Sequence, residues 1–364
     1  ISSGPVFTAG ADRVHTGDIR SSDSDQTGGA PVKVLLMMLS PPSAKGGMEK
    51  HFADLANELA GGGVSVYCMS APEHLEALDP GVNRYPVNTK GSRYSPTLIC
   101  SIVKALRAQE FDLVHAQGSK SAATIQLLSP LFPKTRFIAT IHNFKSRYPA
   151  ANRFSSIIAV SHALASDIGG NVTVVYNGIN IERCPEAPFN FQTYDRPLWL
   201  AVGRLVHAKG FDQLIDAFQS AKGSLLIAGD GKEHEALQER IERLKLTSRV
   251  KLIGYQEDIP GLMQSVDGIV ISSRREGFSY VCAEALLSGK PVVSTDVPVA
   301  NELLPPQHIC PTGDTAGLSS LLNTPIAELV ESQAGVRDFA ARELSVDSMV
   351  ANTLQVYREV TRRG

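Results

Sequence analysis

Two glutamates eight positions apart, Glu276 and Glu284, flank a glycine-containing turn in the run Glu276-Gly277-Phe278-Ser279-Tyr280-Val281-Cys282-Ala283-Glu284. The first falls on a loop and the second in the opening turns of the helix that the apolar run predicts, so both can face one cleft. Such carboxylates suit bidentate hydrogen bonding to vicinal sugar hydroxyls, and Gly277, Phe278, Ser279 and Tyr280 offer backbone N–H groups to phosphates. A pair of solvated surface glutamates is the plain alternative. Upstream, Val202-Gly203-Arg204-Leu205 and Lys209-Gly210-Phe211 direct an arginine at a strand end and a lysine before the next helix toward one point. Two fixed cations beside a helix N-terminus suit a diphosphate, whose departure needs its developing charge stabilised. A solvated cation pair competes with that reading.

Nearer the start, Lys45-Gly46-Gly47-Met48-Glu49 joins an apolar run to an amphipathic one. Paired glycines admit a ligand to the backbone, and the helix that follows presents free N–H groups to a phosphate or polar acceptor. This is not G-x-G-x-x-G, and no acidic residue marks the end of a second strand, which counts against a dinucleotide fingerprint. Two histidines, His115 in Leu-Val-His-Ala-Gln and His142 in Ala-Thr-Ile-His-Asn, follow strand-like runs; a histidine at a strand end is more often structural than chemical. Asp23-Ser24-Asp25 has the spacing of a metal-holding D-x-D, but it stands in a Ser- and Gly-rich run with no apolar period, where chance explains it better. The five cysteines are scattered and never form C-x-x-C, so neither a disulfide framework nor a zinc site is expected, and a reducing compartment is the simpler reading.

The elements that must position these groups alternate. Residues 1–30 read as a disordered tail. From Lys33 a buried strand, the Gly-Gly loop and a helix carrying Phe52, Leu55, Ala56 and Leu59 on one stripe form a β-loop-α unit. A strand from Val64, a helix over Thr97 to Ala108, and strands ending in His115, His142, Ser161 and Asn177-Gly178 continue the series. A Pro-containing stretch after Gly178 reads as a linker, and a second series of strands and helices opens at Pro197. Alternation of this kind implies parallel sheets wrapped on both faces, and 364 residues suit two domains of roughly 150 to 180. The fold expected is α/β, with two Rossmann-like doubly wound domains over 31–185 and 186–345 facing each other across a cleft. A final helix over 346–364 is placed to brace the first domain.

The net charge of −2 hides an asymmetry, with about +5 over 31–175 and about −5 over 176–364. Lys90, Arg93, Lys104 and Arg107, with Lys145, Arg147 and Arg153 near Phe144, Tyr148 and Phe154, could rest on anionic lipid; solvated helix faces compete equally. No apolar run approaches the roughly 20 residues needed to cross a bilayer.

Gly-Arg-Leu-x-x-x-Lys-Gly, Glu-Gly-Phe-Ser with a glutamate eight residues on, Asn-Gly-Ile, and Gly-Lys-Pro-Val-Val-Ser-Thr together resemble the GT-B glycosyltransferases of family GT4. The resemblance runs from about Lys33 to the C-terminal helix. It implies a retaining transferase that uses a nucleotide sugar without an essential metal or other cofactor. By that resemblance Arg204 and Lys209 neutralise the diphosphate, Glu284 holds the ribose hydroxyls, and Glu276 holds the transferred sugar. Gly46, Gly47, Gly203, Gly277, Phe278 and Ser279 line the donor. His142 positions donor and incoming hydroxyl, while His115 and Glu49 line the acceptor side of the cleft. Ser161 and Asn177-Gly178 match family positions too, although capping and turn roles explain both. The chain departs from the family where a second glycine pair is usual, reading Thr295-Asp296-Val297-Pro298-Val299-Ala300-Asn301-Glu302.

The expected partners are a nucleotide sugar and a saccharide or lipid-linked acceptor, with no nucleic acid. The expected setting is cell-envelope polysaccharide or lipopolysaccharide synthesis at the cytoplasmic face of the membrane. A glycosidase also uses two carboxylates but has no need of phosphate-binding cations. A nucleotide-sugar epimerase of the same architecture, or a silent nucleotide-sugar-binding subunit, are the other readings.

Overall fold

Val34 to Met38 is apolar at every position, as a strand must be when helices cover both faces of its sheet. In the computed structural model, which describes residues 32–44, 46–180, 191 and 193–362, these residues form an interior strand, the third of a seven-stranded sheet. The first lobe runs β1 (Lys33–Met38), α1 (Gly47–Gly61), β2 (Ser65–Ser70), α2 (Pro72–Leu75), β3 (Asn83–Pro86), α3 (Pro96–Ala108), β4 (Leu113–Gln117), α4 (Gly118–Leu128), β5 (Arg136–Ile141), β6 (Ser156–Ala159), α5 (His162–Ile168) and β7 (Val172–Val174). All its strands are parallel, in the order β3-β2-β1-β4-β5-β6-β7.

The second lobe runs β8 (Leu198–Val202), α6 (Phe211–Ala217), β9 (Ser224–Ala228), α7 (His234–Arg243), β10 (Val250–Gly254), α8 (Ile259–Gln264), β11 (Gly268–Ile271), α9 (Tyr280–Leu287), β12 (Val292–Thr295), α10 (Ala300–Leu303), β13 (Ile309–Cys310), α11 (Thr315–Leu322), α12 (Ile326–Ser332) and α13 (Ala334–Glu343). Its six strands are parallel in the order β10-β9-β8-β11-β12-β13. Both sheets are doubly wound, and the two-sheet α/β architecture is the one the alternation implies. The D-x-D at Asp23 to Asp25, the 1–30 tail, Cys184 and most of the Pro-containing linker lie outside the described residues.

Strand alternation sorts the core. Leu198 and Leu200 face one side of the second sheet with α8, α9 and α13, while Trp199 and Ala201 face α6, α7 and α11 on the other. The first of these layers is continuous with the first lobe: one buried cluster runs from α3 and α4 across Phe278 and Val281 into the second sheet. The lobes therefore share apolar packing at the strand ends where the chemistry-bearing loops lie.

The final helix, α14 (Val346–Arg362), lays Met349, Thr353, Val356, Tyr357 and Val360 on the far face of the first sheet, against α1. That spacing follows the helical period. Where the chain leaves the first lobe, the Ile179 N–H donates to Leu344 O at 2.8 Å, and a Cβ on Gly178 would stand 2.5 Å from Val346 Cα. The outgoing and returning segments thus cross side by side. Among the described residues no helix is long and apolar enough to cross a membrane.

Candidate active site

Arg204 and Lys209 sit on the loop after β8, and Glu276 on the loop after β11. Three contacts tie these loops together: Ser272 Oγ donates to Lys209 O at 2.9 Å, the Arg274 N–H donates to Ala208 O at 2.8 Å, and the Gln213 amide donates to Ser272 O. Arg274 also grips Asp212 through both terminal nitrogens, at 2.6 and 2.7 Å. Burial alone would push the Asp212 carboxyl up, but the Arg274 guanidinium outweighs it and holds the carboxyl below its usual range. So fastened, the loops place Lys209 Nζ 2.9 Å from Glu276 Oε1, which also accepts from Ser273 Oγ at 2.5 Å. The Lys209 stem runs over Gly203, where a Cβ would meet its Cε at 3.1 Å. Arg204 is exposed and forms no ion pair among the described residues.

Glu284 lies in the second turn of α9, mostly buried, and its carboxylate makes no hydrogen bond among the described residues. Burial pushes that carboxyl up, opposed by Lys50 of the first lobe and by Lys209. A buried carboxylate flanked by two cations is prepared to accept hydroxyl donors. The side chains of Phe278 and Ser279 are buried, 6% and 0% exposed, so what they present to a ligand is backbone. Phe278 packs its ring between Tyr176 and Tyr280.

The first lobe meets this surface directly. Tyr280 OH donates to Gly47 O at 2.6 Å, and its ring fills the space that a Cβ on Gly47 would occupy. Gly47 is therefore needed for close approach. Glu49, in the first turn of α1, accepts from Ser40 Oγ at 2.5 Å and stands beside Gly46. Across the cleft the Gly277 backbone lies against the His142 carbonyl, Ser161 Oγ donates to Gly277 O at 3.0 Å, and Arg275 donates to Phe144 O at 2.8 Å. Ser161 also caps α5 through the Leu164 N–H. Lys209, Glu276, Glu284, Gly277, His142 and the Gly-Gly loop thus surround one cleft.

His115 corrects the expectation placed on it. It is fully buried, with Nδ1 2.7 Å from Tyr357 OH of α14 and Nε2 2.7 Å from Thr140 Oγ1. Both nitrogens are satisfied away from the cleft, so it braces the core rather than lining the acceptor side. His142 differs. Its Nε2 lies 2.8 Å from Gln117 Oε1, so the amide oxygen fixes the proton on Nε2 and leaves Nδ1 as an acceptor with no partner among the described residues. Gln117 and His51 went unread in the sequence. The His51 ring packs edge-on at 4.8 Å from that of His142, and it makes only a loose polar contact with Asn177. The signals were present: Gln117 follows His115 by two on one strand, and His51 stands on the apolar stripe of its helix.

In the loop that departs from the family pattern, Glu302 bridges the lobes by accepting from the Ala163 N–H at 3.0 Å and Tyr176 OH at 2.8 Å. Val299 holds φ 73°, a left-handed conformation costly for a β-branched residue and easy for glycine.

The buried histidines make stability sensitive to acid. Burial lowers His51 to about 4 and His115 to about 3, and it holds His142 well below the usual histidine range. Between pH 6.5 and about 4 the unfolded chain therefore binds protons that the folded chain refuses, so stability falls as pH falls through that window. His51 alone contributes a loss on the order of 3 kcal/mol by pH 4. Melting temperatures recorded from pH 7.5 to 4.5 should drop steeply, and His51→Phe should flatten the slope. Parallel slopes for variant and parent would contradict the assignment.

Comparison with known proteins fits this geometry. Residues 186–323 match the family described as "Glycosyl transferases group 1", and residues 45–183 match "Glycosyltransferase Family 4". The chain is 27% identical over 218 residues to an uncharacterized glycosyltransferase, MJ1178, of Methanocaldococcus jannaschii; the match covers 55% of this chain and 60% of that relative. It is 25% identical to the lipopolysaccharide core biosynthesis glycosyltransferase LpsD of Rhizobium meliloti, over 69% of this chain and 75% of that protein. Against the O-antigen biosynthesis glycosyltransferase WclY of Escherichia coli it is 25% identical, over 59% and 69%. Among solved structures it matches Anabaena Alr3699/HepE in complex with UDP and glucose, with TM-score 0.72, 23% identity, and coverage of 90% of this chain and 100% of that one. A similar match, TM-score 0.72 at 18% identity over 90% and 99%, is found with the lipopolysaccharide outer core galactosyltransferase WaaB. The structural likenesses establish the fold.

Proposed function

The chain belongs to the group 1 glycosyltransferases of GT-B fold, and we propose that it moves a sugar from a nucleoside-diphosphate donor to a saccharide or lipid-linked acceptor with retention of configuration. One observation carries the reading: Lys209, the carboxylates Glu276 and Glu284 and the N-terminus of α9 converge on a single cleft, with Arg204 exposed on the same loop as Lys209. A nucleotide sugar has complementary parts. Arg204, Lys209 and the α9 amides take the diphosphate, Glu284 the ribose hydroxyls, and Glu276 the hydroxyls of the sugar. Donor binding separates Lys209 from Glu276, so each turns from its partner to the group it serves.

His142 sets the position of the donor sugar and the incoming hydroxyl through its unpaired Nδ1. The acceptor oxygen attacks from the face the diphosphate leaves, and the departing phosphate takes the acceptor's proton. No side chain is cast as a covalent nucleophile. The leaving group's charge is assigned to Arg204, Lys209 and the helix amides, with no resident metal or cofactor in the proposal. Among the described residues no three His, Cys, Asp or Glu side chains gather to hold a metal.

The lipopolysaccharide and O-antigen relatives support a role in cell-envelope polysaccharide synthesis. The proposal places the chain in the cytoplasm, peripheral to the inner face of the membrane. Incubation with UDP- and GDP-sugars and an envelope lipid fraction tests it. Label should move from one donor into an extractable product, with release of nucleoside diphosphate. Nucleotide release without acceptor together with sugar inversion would instead mark an epimerase, and binding without turnover would mark a silent subunit.

A further inference from the structure

The two helix starts that border the cleft are open. α1 begins at Gly47 and α9 at Tyr280, and no side chain caps either one. Gly46 has no side chain to offer, and Ser279 Oγ, though a serine hydroxyl is a preferred cap, is buried without a hydrogen bond among the described residues. The first N–H groups of each helix therefore lack partners in their own helix and carry its partial positive charge. Tyr280 joins the two starts. Its hydroxyl crosses from the first residue of α9 to the carbonyl of Gly47, the first residue of α1, at 2.6 Å.

The ring is held as closely as the hydroxyl. A Cβ on Gly47 would stand 2.0 Å from Tyr280 Cε2 and 2.7 Å from Cζ, so glycine is the residue that admits it. Phe278 packs edge-on against the ring at 5.0 Å between centroids, and Tyr176 of the first lobe lies 6.3 Å from Phe278. Burial and then the charges of Asp54, Glu284 and Glu49 push the phenol well above its usual range, so the hydroxyl stays protonated and keeps donating. A leucine or phenylalanine would fill the same space without a hydroxyl to desolvate, so what the tyrosine adds is the bond to Gly47.

We infer that Tyr280 is a positioning residue of the donor site, a clasp that holds the open N-termini of α1 and α9 at the separation at which both reach one diphosphate. The inference rests on the nucleotide-sugar reading above and adds to it a division of labour. The second lobe alone holds the nucleoside and the first phosphate, through Glu284 and α9. The second phosphate lies between the lobes, so its binding reads the separation that Tyr280 sets.

Calorimetric titration of the full chain with UDP, UMP, GDP and GMP tests the clasp. Tyr280→Phe keeps the ring and removes one hydrogen bond, so it should bind the diphosphate that the parent binds about tenfold more weakly. Its affinity for the matching monophosphate and its melting temperature should stay close to the parent's. In turnover the same variant should raise the donor KM by about the same factor with kcat nearly unchanged. Gly47→Ala drives a methyl group into the ring and should weaken the diphosphate further. Tyr280→Leu clears that space, so Gly47→Ala/Tyr280→Leu should bind it about tenfold more tightly than Gly47→Ala alone. Equal losses for mono- and diphosphate, or additive losses in the double variant, would overturn the inference. A parent that binds a nucleoside diphosphate beside a Tyr280→Phe that matches it removes the clasp and leaves the transferase reading standing. A parent that binds none removes both.

Discussion

Lys209→Ala should lower kcat/KM for the donor by about two to three orders of magnitude, the loss expected when one fixed donor to a developing oxyanion is removed. The residue reaches the cleft over Gly203 and meets Glu276 at 2.9 Å, so its ammonium already stands where the proposed sugar and diphosphate join. The substitution also leaves Glu276, whose side chain is only 8% exposed, without its cation. Some loss of stability should therefore accompany the loss of rate. The two effects separate in Lys209→Met/Glu276→Gln, which removes the orphaned carboxylate. This double variant should melt close to the parent and remain inactive. Recovery of turnover along with stability would remove Lys209 from the chemistry.

Gly277→Ala should cost both stability and activity. The added Cβ would stand 2.0 Å from the His142 carbonyl oxygen and 2.9 Å from Asn143 Cα. Both are backbone atoms that no rotamer change can move aside, so the lobes must part. Overpacking of this kind costs about 1–3 kcal/mol, and a displacement of about 1 Å between donor-holding and positioning groups is enough for roughly a hundredfold loss of rate. Thermal melts and donor turnover measure the two. Gly61→Ala is the control: at the end of α1 its Cβ meets nothing within 4 Å, so it should be neutral or slightly stabilising. If Gly277→Ala behaves like Gly61→Ala, the contact between Gly277 and His142 does not hold the site.

Much of the fold was legible because doubly covered strands are written as apolar runs, and β1, β8 and β12 have no other reading. β3 was missed for the converse reason: Asn83-Arg84-Tyr85-Pro86 is a mostly exposed edge strand with no apolar run to mark it. In the site, the loop residues Arg204, Lys209 and Glu276, and Glu284 on the helix that follows, could be found because glycines and strand ends punctuate them. The two histidines could not be told apart. What separates them is Tyr357, 242 residues beyond His115, and the Gln117 amide that orients His142. Contacts of that kind depend on how α14 and the strand ends come together, and no local spacing encodes them. The same holds for Ser272 and Arg274, whose hold on Lys209 O and Ala208 O makes the two loops converge.

Titration calorimetry with UDP, GDP, ADP, CMP and NAD, on the parent chain and on Glu284→Gln, addresses the central claim most directly. One nucleoside diphosphate should bind, and it should bind at least tenfold more weakly to the variant, because Glu284 is assigned the ribose hydroxyls. Binding of NAD alone, or binding of a nucleoside diphosphate with the same affinity in both proteins, would contradict the donor site described above.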